Sequence, residues 1–221
     1  VAILVVGAWL RLSGIGAGLP YSVNLDEPHV MDRALTMVRT GSFDPKGFYD
    51  YPTLSMYLQT AVISARFLSG AQNHEWHALS DPNVWSGPFF LWCRIATALL
   101  SVLTIFIVYR AAVRWGPAAA IVAALLMAVQ PQLTFWAHYV LTDTPMTLFV
   151  ALTMLLAICA AETGRWPWFL LAGAAAGLAA GTKYNGVLAV VMPLAALVSL
   201  PAGSAIRGRA AAAAAVIGGA A

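Results

Sequence analysis

Phe-Phe-Leu-Trp-Cys-Arg-Ile-Ala-Thr-Ala-Leu-Leu-Ser-Val-Leu-Thr-Ile-Phe-Ile-Val-Tyr-Arg-Ala-Ala-Val (89–113) decides the fold class. A helix of about 20 apolar residues crosses the hydrocarbon of a bilayer, and this run exceeds that with only Arg94 and Arg110 charged. Outward from it, similar runs lie at 1–12, 117–136, 144–161, 167–182 and 186–200, and a last one occupies 210–221. Breakers separate them: Gly116-Pro117, Gly164 to Pro167, and Pro201 to Gly208. Pro131 and Pro193 fall inside runs, where neighbouring helices can satisfy the carbonyls a proline frees. The expected fold is all-α: a polytopic transmembrane helix bundle, one module over 1–221.

Composition agrees. The chain is 61% hydrophobic and 10% charged, with mean hydropathy +0.78, whereas a soluble domain is about a quarter charged. The net charge of +3 is small and the bases are scattered, so the basic stripe that nucleic acid requires is missing. Cys93 and Cys159 sit in apolar runs and imply no disulfide framework. The first run lacks a basic n-region and a cleavage site, so it is read as a span and not a signal peptide. A start without Met and an apolar end suggest a fragment open at both ends.

Lys and Arg set the orientation. Arg110 and Arg114, then Arg165, then Arg207 and Arg209 follow alternate spans, which makes that side cytoplasmic. The other side receives the 13–88 segment, the 137–143 turn and the 183–185 turn. If 53–69 crossed the membrane, all those arginines would face outward. Its apolar stripe (Leu54, Tyr57, Leu58, Ala61, Val62, Ala65, Leu68), with Ser55, Gln59 and Arg66 off it, fits an interfacial helix instead. A second interfacial helix is expected at 28–40, with Pro28 in its first turn and Gly41 at its stop. Residues 70–88 read as an exposed loop, in which His74 and His77 are favoured as a solvated pair over a metal site. The placement is integral and multi-pass, in the cell membrane.

Polar groups converge on the non-cytoplasmic side. Seven of the nine acids lie in 24–81 and an eighth, Asp143, in the 137–143 turn. Separate elements thus deliver Asp26, Glu27, Asp50, Asp143, His138 and Lys183 to one face. Carboxylates with a lysine and a histidine could activate a hydroxyl, hold a divalent cation and neutralise a phosphate leaving group. Each also has a plain structural explanation. Asp26, Glu27 and Asp143 could cap helices, Asp50 could start one, and Lys183 could snorkel to headgroups. Arg94, near the outer end of its span, needs a partner or a route to the interface.

At these residues the chain resembles the GT-C membrane glycosyltransferases, in the protein O-mannosyltransferase and aminoarabinose-transferase-like superfamily. Five motifs carry this: Asn-Leu-Asp-Glu (24–27), Phe-Tyr-Asp-Tyr-Pro-Thr-Leu (48–54), Arg94, Leu-Thr-Asp-Thr-Pro-Met (141–146) and Gly-Leu-Ala-Ala-Gly-Thr-Lys-Tyr (177–184). Thr53 replaces the second proline of the Pro-Pro-Leu pattern, and Tyr51 stands where some members carry Lys. The match covers nearly the whole chain but only the N-terminal part of a typical member.

The resemblance implies a polyprenyl-phosphate sugar as donor and a hydroxyl on a protein, lipid or glycan as acceptor, with inversion at the anomeric carbon. It implies Asp26 as general base and Lys183, supported by Arg94, as the donor-phosphate contact. Glu27, Asp50, Asp143 and His138 would position substrate, and Asp50 and Asp143 could hold a divalent metal cation. The sequence itself agrees in lacking a Gly-rich nucleotide cradle. A transporter or flippase would carry its charges near the midplane, where these spans have almost none. A non-catalytic lipid-binding relative is the other alternative.

Overall fold

The computed structural model describes residues 1–76, 78, 87–200 and 206–220; of these, 87, 88, 206, 207, 210–212, 217 and 220 are described by backbone alone. His77, Asp81 and the Arg207 side chain lie outside the described residues. The chain is all-helical there. Ten α-helices follow in order: α1 (Ala2–Leu12), α2 (Glu27–Thr40), α3 (Leu54–Gln72), α4 (Gly87–Ala112), α5 (Pro117–Val129), α6 (Pro131–Ala137), α7 (Asp143–Thr163), α8 (Trp166–Thr182), α9 (Val191–Val198) and α10 (Ile206–Ala220). Phe89–Trp115, which includes a closing 3₁₀ turn, and Asp143–Thr163 are long and apolar enough to cross a membrane; the bent pair Pro117–Val129 and Pro131–Ala137 makes a third if it is one broken span. The protein is an integral, multi-pass membrane protein.

Glycine and proline place the boundaries. Prolines occupy the first turns of α2, α5, α6 and α8, where the missing N–H has no partner to lose. α2 and α7 stop at Gly41 (φ 66°) and Gly164 (φ 62°), left-handed positions that suit glycine. The run 117–136 is not one straight helix. It breaks at Gln130–Pro131, and α6 leaves α5 at 56°. Proline removes a rung of the hydrogen-bond ladder and its ring clashes with the preceding turn. The expected span 186–200 likewise divides, into a 3₁₀ stretch (Tyr184–Val190) and α9.

The helices run up and down. Arg114, just past α4, pairs with Glu162 near the end of α7 at 2.9 Å. At the other end, Asp143 at the start of α7 pairs with Lys183 just past α8. Small residues let the helices approach: α8 buries Ala172, Gly173, Ala175, Ala176 and Ala179. A Cβ on Gly173 would come within 2.5 Å of the Val216 carbonyl oxygen of α10. Such close backbone contact supplies the van der Waals packing that holds helices together where hydrophobic exclusion cannot.

The loop before α4 builds its own core. Val30, Met31 and Ala34 of α2, Met56 and Ile63 of α3, and Phe89 and Cys93 of α4 pack into one buried cluster with Phe48 and Val140. α3 is inside out for a water-soluble helix. Its buried face includes Ser55, Gln59 and Thr60 beside Met56 and Ile63, while Tyr57, Ala61, Ala65 and Leu68 of its apolar stripe are exposed. Gln59 donates to Thr97 Oγ1 on α4 at 3.2 Å. Ser55 and Gln59, off the stripe, therefore face protein, and much of the stripe is turned outward.

Candidate active site

Glu27 is the hub of the site end of the bundle. Arg94 grips it through both arms, Nε to Oε1 at 2.7 Å and Nη2 to Oε2 at 2.6 Å. The Val140 amide donates to Oε1 at 3.1 Å and the Ser22 hydroxyl to Oε2 at 2.8 Å. Arg94 Nη1 donates to the carbonyls of Ile15 (3.1 Å) and Ala17 (3.0 Å), and its guanidinium lies 5.1 Å from the Tyr139 ring centre. Glu27 is 0% and Arg94 1% exposed. A buried charge pair is tolerated when good geometry and extra hydrogen bonds satisfy both partners, and here they do. Arg94 has found the partner its place in the span requires: two of its hydrogen bonds go to Glu27 and two to the loop backbone. Glu27, expected among the positioning groups, faces protein and not substrate. The pair ties the 15–22 loop, α2, α4 and the 137–143 turn together.

Asp26, one residue earlier, is exposed. It sits at the N-terminus of α2 but makes no side-chain capping bond. Its backbone is already helical (φ −87°, ψ −22°), whereas a capping residue normally adopts the β region to aim its oxygen at the following amides. Asn24 Oδ1 accepts from the Asp26 amide at 2.9 Å and fixes the approach to the helix. The capping explanation is thus not realised, and the carboxylate faces outward.

Lys183 ends α8 in an extended conformation (φ −154°, ψ 135°). Its Nζ lies 2.8 Å from Asp143 Oδ1, with the two side chains 30% and 16% exposed. Asp143 is thus a partner of Lys183 and not only a helix-start charge. The segment 48–54 lies over this turn. Tyr184 Oη donates to the Tyr49 carbonyl at 2.7 Å, and a Cβ on Gly181 would meet Leu54 at 3.5 Å. Phe48 is the segment's buried anchor, stacked on His29 at 5.8 Å between ring centres.

Tyr51 stands where these elements meet. Burial pushes its phenol pKa up, Asp26 pushes it further, Lys183 opposes, and Asp143 and Asp50 add smaller upward pushes. The hydroxyl therefore remains a neutral O–H donor amid three carboxylates and one ammonium. Asp50 is exposed beside it. Sequence reasoning noted Tyr51 only as a departure from a family pattern; its position between Asp50 and Pro52 on the docking segment was the signal available.

His138 is elsewhere. Its Nδ1 lies 2.8 Å from the Thr134 carbonyl and its Nε2 3.0 Å from the Ser13 carbonyl. The ring fastens the end of α6 to the loop after α1 beside a cleft of about 120 Å³ that Arg94 and Tyr139 also line. Among the described residues, no three His, Cys, Asp or Glu side chains gather as a ligand set. Asp143, one of the two residues expected to hold a divalent cation, has its Oδ1 on the Lys183 ammonium, and the other, Asp50, is exposed.

The sequence model of the dolichyl-phosphate-mannose-protein mannosyltransferase family matches residues 90–220, more than half of the chain. No curated protein matches the chain significantly by sequence. Among solved structures, the fold is similar to the S. cerevisiae protein O-mannosyltransferase Pmt1–Pmt2 complex bound to the sugar donor, with TM-score 0.73 and 22% identity. That match covers 99% of this chain and 30% of the other, so the chain spans under a third of that relative's length.

Proposed function

The chain belongs to the dolichyl-phosphate-mannose-protein mannosyltransferase family, and on that premise we propose that it carries the catalytic end of a polyprenyl-phosphate-sugar glycosyltransferase. The acceptor is a hydroxyl on a protein, lipid or glycan. Asp26 is the general base. It takes the acceptor proton as the acceptor oxygen attacks the anomeric carbon from the face opposite the phosphate. The bond between that carbon and the phosphate oxygen breaks, its electron pair stays on the phosphate, and the configuration inverts. Lys183 neutralises the charge that grows on the leaving phosphate. Tyr51 contributes an O–H to the same group.

One observation carries this reading: an exposed, uncapped carboxylate, Asp26, shares the electrostatic surroundings of Tyr51 with the Lys183–Asp143 pair. A base that must take a proton gains from having no hydrogen bond to break first. The site is assigned to the non-cytoplasmic face because Arg110, Arg114 and Arg165 collect at the opposite end. The test is transfer from a polyprenyl-phosphate sugar by the purified full-length protein. Product of inverted configuration in wild type, and transfer lowered about 10²–10⁴-fold in Asp26→Asn, is the expected result. Full activity in that variant removes the base assignment.

A further inference from the structure

Arg11 is a second buried cation, with no part in the sugar-transfer chemistry. It is 0% exposed near the end of α1. Its Nε donates to Ser101 Oγ on α4 at 2.7 Å, and Nη1 to the Gly7 carbonyl at 3.1 Å. The rest of the fork reaches α5: Nη1 to the Ala128 carbonyl at 2.8 Å and Nη2 to the Met127 carbonyl at 3.0 Å. None of these acceptors is a carboxylate.

The α5 carbonyls are open for a reason written in the sequence. In an unbroken helix the Met127 carbonyl would accept from residue 131. That residue is Pro131, which has no N–H. The 56° turn into α6 carries the following amide away from Ala128. Two acceptors at the negative end of a helix dipole are left facing apolar surroundings, and a planar guanidinium can serve both at once.

Beyond the bend lies the far side of the site. α6 runs from Pro131 to Ala137, and His138 then meets the carbonyl of Ser13, two residues past Arg11. The end of α1 thus holds the last turn of α5 just before the bend and the residue that closes α6. From there Val140 meets Glu27 and Asp143 meets Lys183. We propose that Arg11 is a positioning residue: by holding the α5 carbonyls open it sets the angle at which α6 delivers the 138–143 turn to Glu27 and Lys183. Its consequence for catalysis rests on the proposed glycosyltransferase function; its geometry does not.

The test uses full-length protein in nanodiscs with spin labels at the exposed positions Val122 on α5 and Gln132 on α6. Arg11→Met should lower the melting temperature and shift or broaden the label distance. Adding Pro131→Ala supplies an amide for Met127. The double variant should recover its melting temperature while the labels move apart as the helix straightens, and kcat should stay down about 10–100-fold, the scale of a small misplacement of reacting groups. An unchanged distance in Arg11→Met overturns the proposal. So does recovery of kcat together with stability in the double variant, since Arg11 then only satisfies carbonyls. If Arg11→Met does not fold, Arg11→Lys decides on the same labels: a shifted distance supports the proposal and an unchanged one overturns it. If the wild-type protein transfers no sugar while Arg11→Met still shifts the distance, the proposed function falls and the Arg11 assignment stands.

Discussion

Arg94 and Glu27, 67 positions apart, close a two-armed ion pair in the interior of the protein while Asp26, adjacent to Glu27, faces outward. One acid of the pair is thereby fixed, and the other is presented from a rigid base. Their separate fates come from the start of α2, where one residue of helical rotation carries successive side chains to different faces.

Removing one partner of the buried pair leaves the other charge without compensation, at a cost of about 3–5 kcal/mol. Glu27→Ala and Arg94→Met should each lower the melting temperature of the detergent-solubilised full-length protein markedly. The double variant should lose less than the two losses added together. Additive losses in that cycle would mean the two side chains act independently.

Asp26→Asn keeps the size and the exposure of the side chain, so stability should change by no more than about 0.5 kcal/mol. Transfer should fall by about 10²–10⁴-fold, the usual contribution of a general base. Thermal melts run beside initial rates separate the two effects.

Lys183→Ala removes a charged donor from the phosphate and leaves Asp143 unpaired. A hydrogen bond to a charged group contributes about 1.5–3 kcal/mol, so donor KM should rise roughly 10–150-fold by that figure. Asp143→Asn frees the ammonium from its ion pair and should weaken donor binding less. Titration of a polyprenyl phosphate monitored by intrinsic fluorescence checks the order of the two.

Tyr51→Phe deletes only the hydroxyl and keeps the ring against Phe48, 6.1 Å away between centres. Donor KM should rise about 5–10-fold, as for one neutral hydrogen bond. The sign of the pH effect is set by the raised phenol pKa. The folded protein retains this proton above the ordinary tyrosine value of about 10, so Tyr51 favours the folded state below that pH and the contribution declines as pH rises through the folded pKa. The alkaline limb of a rate profile measured between pH 6 and 9 (roughly the assayable range, well below tyrosine's ordinary value) should be the same in wild type and Tyr51→Phe.

Arg114→Gln at the opposite end gives the contrast. Arg114 and Glu162 are 25% and 48% exposed, and such pairs contribute about 0–1 kcal/mol. The melting temperature should move little, and transfer should be unaffected.

The bundle was legible because length and apolarity alone specify helices in a bilayer, and glycines and prolines mark where they stop. Pro131 lies inside one apolar run of the sequence, where a neighbouring helix was expected to satisfy the freed carbonyls; neither the break at Gln130–Pro131 nor the residue that covers those carbonyls was legible, because Arg11 sits 117 positions before Ala128 and beside it only in three dimensions. The convergence of Asp26, Asp143, Lys183 and Asp50 was readable from which turns share a face. How they pair was not, since sequence order carries no information on which carboxylate is turned inward. That Arg94 needed a partner was readable; that the partner is Glu27 was not. His138 shares a turn with Asp143, yet its ring follows α6 back to Ser13. The stripe on α3 was visible as a period, but its polar side could not be assigned to Thr97 without the fold.

The contacts of Arg11 also order events during synthesis. α1 is made with this guanidinium before α4 and α5 exist, and an arginine without partners in a bilayer costs about 2.5–3.5 kcal/mol at a helix centre, and less near a helix end such as this one. At roughly 5–20 residues per second, ribosomes take about 6–23 s to reach the α5 carbonyls. Over that interval the interface can solvate the guanidinium, which its place in the last turn of α1 keeps within reach. Its buried place against the Met127 and Ala128 carbonyls exists only once the broken helix has been made, so α1 precedes in the chain the partner that satisfies it.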